Sequence, residues 1–246
     1  MKVKIGTCGF QKSRKAHYSN LDVLEVQQTF YDPRTESYSK WRKEASSTFE
    51  FTIKAWMLIT HEYNKNLWSK LKEEIPGRLE NYGSLKLTEE VLWAWEKTLE
   101  VADALSSKII VVQTPPSFSF NEVNKVRALE FFKNVPRRGK IIVWEPRGDW
   151  WNKPDELVNV ATHAEVVIGG DALRGRVLKE QREIAYFRLH GLGGQEVNYR
   201  YKYTDEDLLQ LKKILEELNP EVAYVLFNNV YSFEDALRFK KLLLSY

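Results

Sequence analysis

Short apolar runs, rich in β-branched residues, alternate along the chain with segments that have the apolar periodicity of amphipathic helices. Most of the runs are almost continuously apolar, which is typical of parallel strands covered by helices. They predict eight strands, at residues 3–8, 22–27, 50–56, 108–114, 140–145, 165–171, 184–190 and 222–228.

Signals for helix starts stand between these runs. Thr204 and Asp207 have the spacing of a capping box before one amphipathic segment, and Ser232 and Asp235 repeat it before the last one. Thr88 predicts the start of a third helix. Eight strands that alternate with helices over about 250 residues favour an α/β fold, a (β/α)₈ TIM-like barrel, over an open doubly wound sheet.

The chain has no composition break or linker, so we expect residues 1–246 to form a single barrel domain. The stretch 57–107 is much longer than a usual connection between a strand and a helix. It contains Trp68, Trp93 and Trp95 and predicts a helical insertion after the third strand, packed over the barrel.

Polar residues inside the strands alternate with apolar ones. In a parallel barrel the outward set packs against helices, so the polar set should point inward and gather at the carboxyl ends of the strands. In the seventh strand Arg188 and His190 fall in the inward set, whereas Phe187 and Leu189 fall in the outward one. The same parity predicts one ring of polar side chains, which consists of Glu25, Lys54, Gln113, Glu145, Asp171, Arg188, His190 and Asn228.

Composition narrows the class of protein. Of the 246 residues, 43% are apolar, enough for a large core, which excludes intrinsic disorder. Cys8 is the single cysteine, so a disulfide framework is impossible, and we expect a cytoplasmic protein. No apolar run approaches the ~18 residues of a membrane span, and the first residues do not resemble a secretory signal, so we expect no association with a membrane.

Aromatic residues are abundant, at 13%, and all eight tryptophans lie at or before Trp151. Several aromatic residues follow directly after the ends of predicted strands, where they could stack on a sugar or a base. We expect them to form an aromatic wall on one side of the site; they are Tyr31, Trp56, Phe118, Trp150 and Trp151.

Several strings resemble the YecE-like family, also called domain of unknown function 72. They include EVQQTFY at 25–31, FEFTIKA at 49–55, QTPPSF at 113–118, WEPR at 144–147 and FRLHG at 187–191. They occur in the same order as in the family and extend over nearly the whole chain. The resemblance implies a TIM-like barrel, in agreement with the strand parity, and implies no particular reaction.

Three residues are candidates for catalysis. Glu145, at the end of the fifth strand, is the preferred general acid or base, and its alternative role is a structural ion pair with Arg147. Lys54 could stabilise an anion or form a Schiff base, or it could instead form a salt bridge with Glu25. His190 is inward-facing beside Arg188, and its alternative is a hydrogen-bonded structural histidine.

The candidates for substrate binding are the other polar residues near the strand ends, namely Glu25, Tyr31, His61, Gln113, Arg147, Asp171, Arg188 and Asn228. Glu145, Asp171 and His190 could supply oxygen and nitrogen ligands to a Mn- or Mg-like ion, but no metal-ligand spacing supports this, so no metal is assigned. The sequence identifies no cofactor. The glycines at 191–194 are a weak candidate for a phosphate-binding loop.

Three functions are compatible with these residues. The preferred hypothesis is an enzyme that acts on a small polar or anionic molecule, such as a sugar or a sugar phosphate. The alternatives are a protein that binds or processes nucleic acid, suggested by a pI near 8.7 and the loop aromatics, and a non-catalytic ligand-binding scaffold. The net charge of +3 is too small to indicate nucleic acid by itself, and the oligomeric state is not predicted.

Overall fold

The structure is a computed structural model that describes residues 1–71, 74–194 and 196–244. The strands are β1 (Lys2–Cys8), β2 (Val23–Val26), β3 (Glu50–Lys54), β4 (Ile109–Gln113), β5 (Ile141–Glu145), β6 (Val167–Ile168), β7 (Ile184–Leu189) and β8 (Val222–Phe227). The α-helices are α1 (Arg14–Asn20), α2 (Glu36–Glu44), α3 (Met57–Thr60), α4 (Lys65–Trp68), α5 (Glu89–Ala104), α6 (Glu122–Asn134), α7 (Pro154–Ala164), α8 (Asp205–Leu218) and α9 (Ser232–Leu244). Short 3₁₀ helices lie at Gln28–Phe30, Leu79–Asn81, Gly148–Asn152 and Ala172–Arg174.

The strand order is that of a (β/α)₈ barrel. The strands follow one another as β6-β5-β4-β3-β2-β1-β8-β7. The pairings β1–β2, β1–β8, β3–β4, β4–β5 and β7–β8 are parallel. Gly170, just beyond β6, forms a parallel bridge with Phe187 of β7, which makes the order circular. The predicted fold class is therefore confirmed.

The chain divides into two compact units, which are described separately. The first unit contains residues 1–25, 45–50 and the chain from Val167 onward. The second unit contains residues 26–44 and 51–166. Whether the chain is a single domain stays a prediction.

In the first unit, β1 and β7 both pair with β8 along their length. Gly6 is required where β1 meets β2, because a Cβ atom at this position would lie 1.9 Å from the carbonyl oxygen of Val23. Helix α9 packs against β1 and β8. Helix α8 buries a leucine stripe that consists of Leu208, Leu211, Leu215 and Leu218.

All three helices begin where the sequence predicts, and two of the three predicted caps are confirmed. Thr204 and Asp207 form a complete capping box at the start of α8, and the Thr88 hydroxyl accepts a hydrogen bond from the Val91 amide at the start of α5. The helix start at Ser232 is confirmed but its capping role is not, because Ser232 is itself the first residue of α9 and its buried hydroxyl makes no hydrogen bond. The carboxylate of Asp235 instead accepts hydrogen bonds from Asn229 and Arg238.

The second unit contains the segment 57–107, which includes α3, α4, a 3₁₀ turn and α5, so the predicted helical character is confirmed. Helix α5 packs against α2 and α3. It buries the Trp95 side chain, whose ring NH donates to the carbonyl oxygen of Pro136.

Three of the five residues expected to form an aromatic wall do not present their rings to solvent, so the prediction is wrong for them. Trp56, Phe118 and Trp150 are buried. The ring of Trp150 is stacked on that of Phe118 with 6.1 Å between centroids, and its ring NH donates to the carbonyl oxygen of Phe118 at 2.6 Å. These rings fill the core of the second unit, because apolar burial outweighs the use of a large ring as an exposed platform. Tyr31 and Trp151 are partly exposed.

Among the residues that the structure describes, no helix is both long and apolar enough to cross a membrane.

Candidate active site

In the first unit, the inward-facing residues of β2 and β7 form a buried hydrogen-bonded group. Glu25 Oε1 lies 2.8 Å from Arg188 Nη2, and Glu25 Oε2 accepts a hydrogen bond of 2.9 Å from the Tyr186 hydroxyl. Tyr186 is stacked on Tyr224, with 5.6 Å between ring centroids. The strand parity therefore brings Glu25 and Arg188 together, and the two buried charges compensate each other.

A second group in the first unit is centred on Asp171. Its Oδ2 accepts a hydrogen bond of 2.8 Å from the amide of His190, and it lies 3.8 Å from both His190 Nδ1 and Arg174 Nε. Its Oδ1 is buried without a hydrogen-bond partner. The predicted residues Asp171 and His190 are thus brought together. Arg174 completes the group and was not predicted.

The loop after β7 is held by this same part of the chain. Arg174 donates hydrogen bonds to the carbonyl oxygens of Gly191 and Gly193, and the Gly191 amide donates to the hydroxyl of Tyr203. Burial, followed by the negative charge of Asp171, raises the pKa of Tyr203. Because its amide is already bound, Gly191 is not available to the phosphate-binding loop considered from the sequence. The backbone amide of Asn228, which directly follows β8, donates a hydrogen bond to the carbonyl oxygen of Leu189.

In the second unit, Glu145 and Arg147 form a buried ion pair. Glu145 is only 2% exposed, and its Oε1 lies 2.7 Å from Arg147 Nε. Gln113, at the end of β4, is paired in register with Glu145 at the end of β5. The ion pair considered as the alternative role of Glu145 is therefore present, and it is compatible with a catalytic role.

A further group in the second unit surrounds the ring of Phe30. Lys54 Nζ lies 4.0 Å from the centre of this ring, and the rings of Tyr31 and His61 meet it edge-on with 4.9 and 5.1 Å between centroids. Burial, followed by the positive charge of Lys54, lowers the pKa of His61 to about 4. His61 is therefore neutral at neutral pH. Its Nδ1 is hydrogen-bonded to the Thr60 hydroxyl at 2.8 Å.

Apart from Asn228, the predicted residues lie in four groups, two in each unit. Phe30 and Arg174 each belong to one of these groups and, like Tyr203, were missed. Phe30 belongs to the family-like string at 25–31, but an apolar residue carries no chemical signal by itself. Arg174 and Tyr203 lie outside the strands, where side-chain parity makes no prediction.

Among the described residues, no three His, Cys, Asp or Glu side chains are grouped so that they could hold a metal ion. Two surface clefts are bordered by none of the predicted residues. One, of about 260 Å³ in the second unit, is bordered by Gln28, Asp32 and Trp41. The other, of about 330 Å³ in the first unit, is bordered by Lys179, Arg182 and Ile214.

The circular order of parallel strands, with polar groups at their carboxyl ends, defines a protein of the TIM-barrel class. The chain belongs to the family described as protein of unknown function DUF72, whose model matches residues 10–245. The resemblance found in the sequence is confirmed.

Relatives of known sequence and structure support the family assignment. The UPF0759 protein YunF of Bacillus subtilis (strain 168) is 25% identical over 89% of this chain and 81% of its own length. A DUF72 family protein from Enterococcus faecalis V583 has a TM-score of 0.73 at 18% identity, over 100% of this chain and 98% of its own.

More distant solved structures share the fold. A D-tagatose 3-epimerase-like protein has a TM-score of 0.56 at 15% identity, over 100% of this chain and 97% of its own. Endonuclease IV from Thermus thermophilus has a TM-score of 0.54 at 16% identity, over the full length of both chains. At such identities the likeness establishes the fold and selects neither activity.

Proposed function

We propose that the protein is an enzyme that acts on a small anionic molecule, such as a phosphorylated sugar, at the carboxyl ends of β3, β4 and β5. The observation that carries this proposal is the register of these strands. Lys54 is paired with Val111, Val111 with Val143, and Gln113 with Glu145. Lys54, Gln113 and Glu145 therefore share one face of three neighbouring parallel strands, at the end where barrels perform their chemistry.

The free-energy cost of burying charged side chains at these strand ends supports a functional role. A buried ion pair such as Glu145–Arg147 is often no more stabilising than apolar residues of the same volume. The apolar residues Ile110, Val112 and Ile142 show that the same strands are otherwise built from such residues. Charged groups kept at the strand ends are therefore better explained by binding or catalysis than by stability.

Each residue has a definite role in this proposal. Glu145 exchanges a proton with the substrate, while Arg147 and Lys54 stabilise negative charge. Gln113, beside Glu145, orients the substrate through its amide. The neutral ring of His61, close to Lys54, can donate or accept a hydrogen bond without adding a second positive charge.

The alternative of nucleic-acid binding is less well supported. It relied on loop aromatics for base stacking, and three of the five rings considered for this purpose are buried. A sequence-independent nucleic-acid site would also be expected to expose several such rings along a basic groove.

The proposal is tested by calorimetric titration of the protein with inorganic phosphate, D-glucose 6-phosphate and D-glucose. We expect the two phosphates to bind, and Lys54→Met to weaken them by about tenfold or more, because a hydrogen bond to a charged group contributes roughly 1.5–3 kcal/mol. Lys97→Met, which removes a lysine paired with Glu100 on the surface of α5, is the matched control and should change nothing.

Two outcomes would overturn the proposal. One is the absence of phosphate binding at millimolar concentration, and the other is equal binding by the wild type and Lys54→Met. Salt-dependent binding of single-stranded DNA, in a protein that does not bind the phosphates, would favour the nucleic-acid alternative. Turnover that is lost in Glu145→Gln while binding persists would separate an enzyme from a non-catalytic scaffold.

A further inference from the structure

The connection between β6 and β7 differs from the other connections between consecutive strands. Each of the others contains at least one α-helix, whereas residues 169–183, all of which the structure describes, contain only the 3₁₀ helix Ala172–Arg174. In a (β/α)₈ barrel each strand is followed by a helix of the outer layer. In the first unit, one place in this outer layer is therefore not filled by an α-helix.

The surface cleft of about 330 Å³ in the first unit lies at this place. It is bordered by Ala172 of the 3₁₀ helix and by Ile214 and Leu218 of α8, and the two helices pack against each other. Ala172 and Leu218 are buried and Ile214 is half-buried. The least exposed part of the lining is therefore apolar. We call this cleft the β6–β7 cleft.

The 3₁₀ helix that borders the cleft also supports the loop after β7. Ala172 is in the lining, and Arg174 of the same helix donates hydrogen bonds to the carbonyl oxygens of Gly191 and Gly193. The segment that takes the place of the outer helix is thus held in position by bonds of its own, and the cleft beside it has a fixed wall.

Three exposed, charged side chains complete the rim of the cleft, and they are Lys179, Arg182 and Glu217. Arg182 Nη1 donates to the carbonyl oxygen of Leu218 at 2.9 Å, which uses one of the five N–H donors of the guanidinium. Glu217 lies 3.9 Å from Lys213. Lys179 forms no ion pair with any residue that the structure describes. The rim therefore has two positive charges and one negative charge, and the negative one already faces a lysine.

The volume of the cleft decides what size of ligand it can hold. An α-helix with its side chains is at least about 10 Å wide and rises about 5.4 Å per turn, so one turn occupies about 400 Å³. The cleft, at about 330 Å³, is smaller than a single turn. It has the volume of about eleven water molecules and falls in the range of small-molecule pockets. A small molecule fits the cleft, whereas a helix from a partner protein does not.

We propose that the β6–β7 cleft binds a small amphipathic anion that consists of a short apolar chain and a carboxylate. The chain lies against Ala172, Ile214 and Leu218, where burial of its CH₂ groups supplies the binding free energy. Lys179 and Arg182 bind the carboxylate through charge-assisted hydrogen bonds. The site shares no residue with the proposed active site at the ends of β3, β4 and β5, so it does not rest on the proposed function.

Titration of nitrogen-15-labelled protein with sodium hexanoate, followed by NMR, tests the proposal. We expect saturable chemical-shift changes at millimolar concentration, largest at the amides of Ala172, Gly175 and Ile214. Butanoate, which is shorter by two CH₂ groups, should bind about tenfold more weakly, because each buried CH₂ group contributes roughly fourfold. Hexylammonium, which has the same chain and the opposite charge, should bind more weakly than hexanoate, because two of the three charges on the rim are positive.

Two variants of α8 form a matched pair. Ile214→Asp places a carboxylate in the apolar part of the lining and should weaken hexanoate binding by about tenfold or more. Leu209→Asp places the same group at a residue of the same helix that is 49% exposed and does not border the cleft, so it should leave binding unchanged. Circular dichroism of both variants shows whether α8 is intact.

Two variants of the rim test the charges without altering the apolar lining. Lys179→Gln should weaken hexanoate binding by about two- to fivefold, the range of an exposed ion pair, and Glu217→Gln should strengthen it by a similar factor. Lys202→Gln, which removes an exposed lysine paired with Glu234, is the control and should change nothing.

Four results would overturn the proposal. They are the absence of saturable shifts with hexanoate, shifts confined to residues away from the cleft, binding of hexylammonium as tight as that of hexanoate, and wild-type hexanoate binding by both Ile214→Asp and Lys179→Gln. None of these results depends on phosphate binding by Lys54.

Discussion

At the scale of single residues, the buried pair Glu145–Arg147 links stability to function. The two side chains lie 2.7 Å apart, and both are almost fully removed from solvent. A carboxylate left in this position without its guanidinium would retain the cost of desolvation and lose the compensating charge. The pair therefore places a carboxylate beside a guanidinium at the end of β5, where the proposed chemistry is located.

Removal of one partner of this pair should be costly. We expect Arg147→Met to lower the free energy of unfolding by about 3–5 kcal/mol, because it removes the positive charge that faces the buried Glu145 carboxylate. Urea denaturation measures the change. The double variant Arg147→Met with Glu145→Leu should recover much of the loss. A single variant as stable as the wild type would show that the pair is solvated rather than buried.

His61 should make stability depend on pH. Its pKa is lowered to about 4, whereas an unfolded histidine titrates near 6.5. As the pH falls from 6.5 to 4, the unfolded chain binds a proton that folded His61 does not, so stability present above pH 6.5 is lost, by at most about 1.4 kcal/mol per pH unit.

The comparison of wild type with His61→Gln by urea denaturation between pH 7 and 4 isolates this contribution. The wild type should lose stability more steeply than the variant over this range. In addition, Lys54→Met should raise the pKa of His61 in an NMR titration, because it removes the charge that helps to lower it. Parallel stability profiles for wild type and His61→Gln would contradict the assigned environment of His61.

Residue-level prediction from the sequence succeeded where parity applies. Glu25 and Arg188 lie in regular strands, so alternation alone predicts that they face inward, and the structure pairs them. It failed for Phe30, which lies outside the strands. Its contact with Lys54 joins distant parts of the chain, and alternation along a strand carries no information about such contacts.

At the scale of secondary-structure elements, the helix starts show what a local motif can and cannot predict. Thr204 and Ser232 are each followed by an aspartate three residues later, but only Thr204 adopts the extended backbone of a cap. Ser232 is already helical, and its amide donates to the carbonyl oxygen of Asn229. The spacing of hydroxyl and aspartate is the same at both positions. The path of the preceding loop decides whether the hydroxyl residue is a cap, as at Thr204, or the first helical residue, as at Ser232.

The two positions form a matched experiment. Thr204→Ala should lower the free energy of unfolding by about 1 kcal/mol, because it removes the acceptor for the Asp207 amide. Ser232→Ala should be neutral or slightly stabilising, because the Ser232 hydroxyl is buried without a partner. Thermal or urea denaturation measures both, and equal losses in the two variants would contradict the assignment of a single cap.

Strand lengths were predicted less well than strand positions. The sixth strand was expected to extend over residues 165–171, but β6 contains only Val167–Ile168, followed by the bridge from Gly170 to Phe187. Glu165 ends α7 with a positive φ of 51°, and the two glycines that follow β6 have no side chains to pack on a sheet. Apolar runs in the sequence indicate burial, whereas the length of a strand depends on its pairing with the neighbouring strands.

At the scale of the whole molecule, the fold was predictable because eight apolar runs and the helices between them are consistent with a single architecture. The sequence did not predict which aromatic residues are buried in the core. Trp150 and Phe118 satisfy equally well the requirements of a core and those of a binding platform, so only the structure could show that they are buried.

A crystal structure of the protein soaked with D-glucose 6-phosphate shows whether a small anionic molecule binds at the carboxyl ends of β3 to β5. We expect density for the ligand with its phosphate within hydrogen-bond distance of Lys54 Nζ or the Arg147 guanidinium. A fully soaked crystal with no ligand density at these residues, or with the ligand bound elsewhere on the molecule, would contradict it.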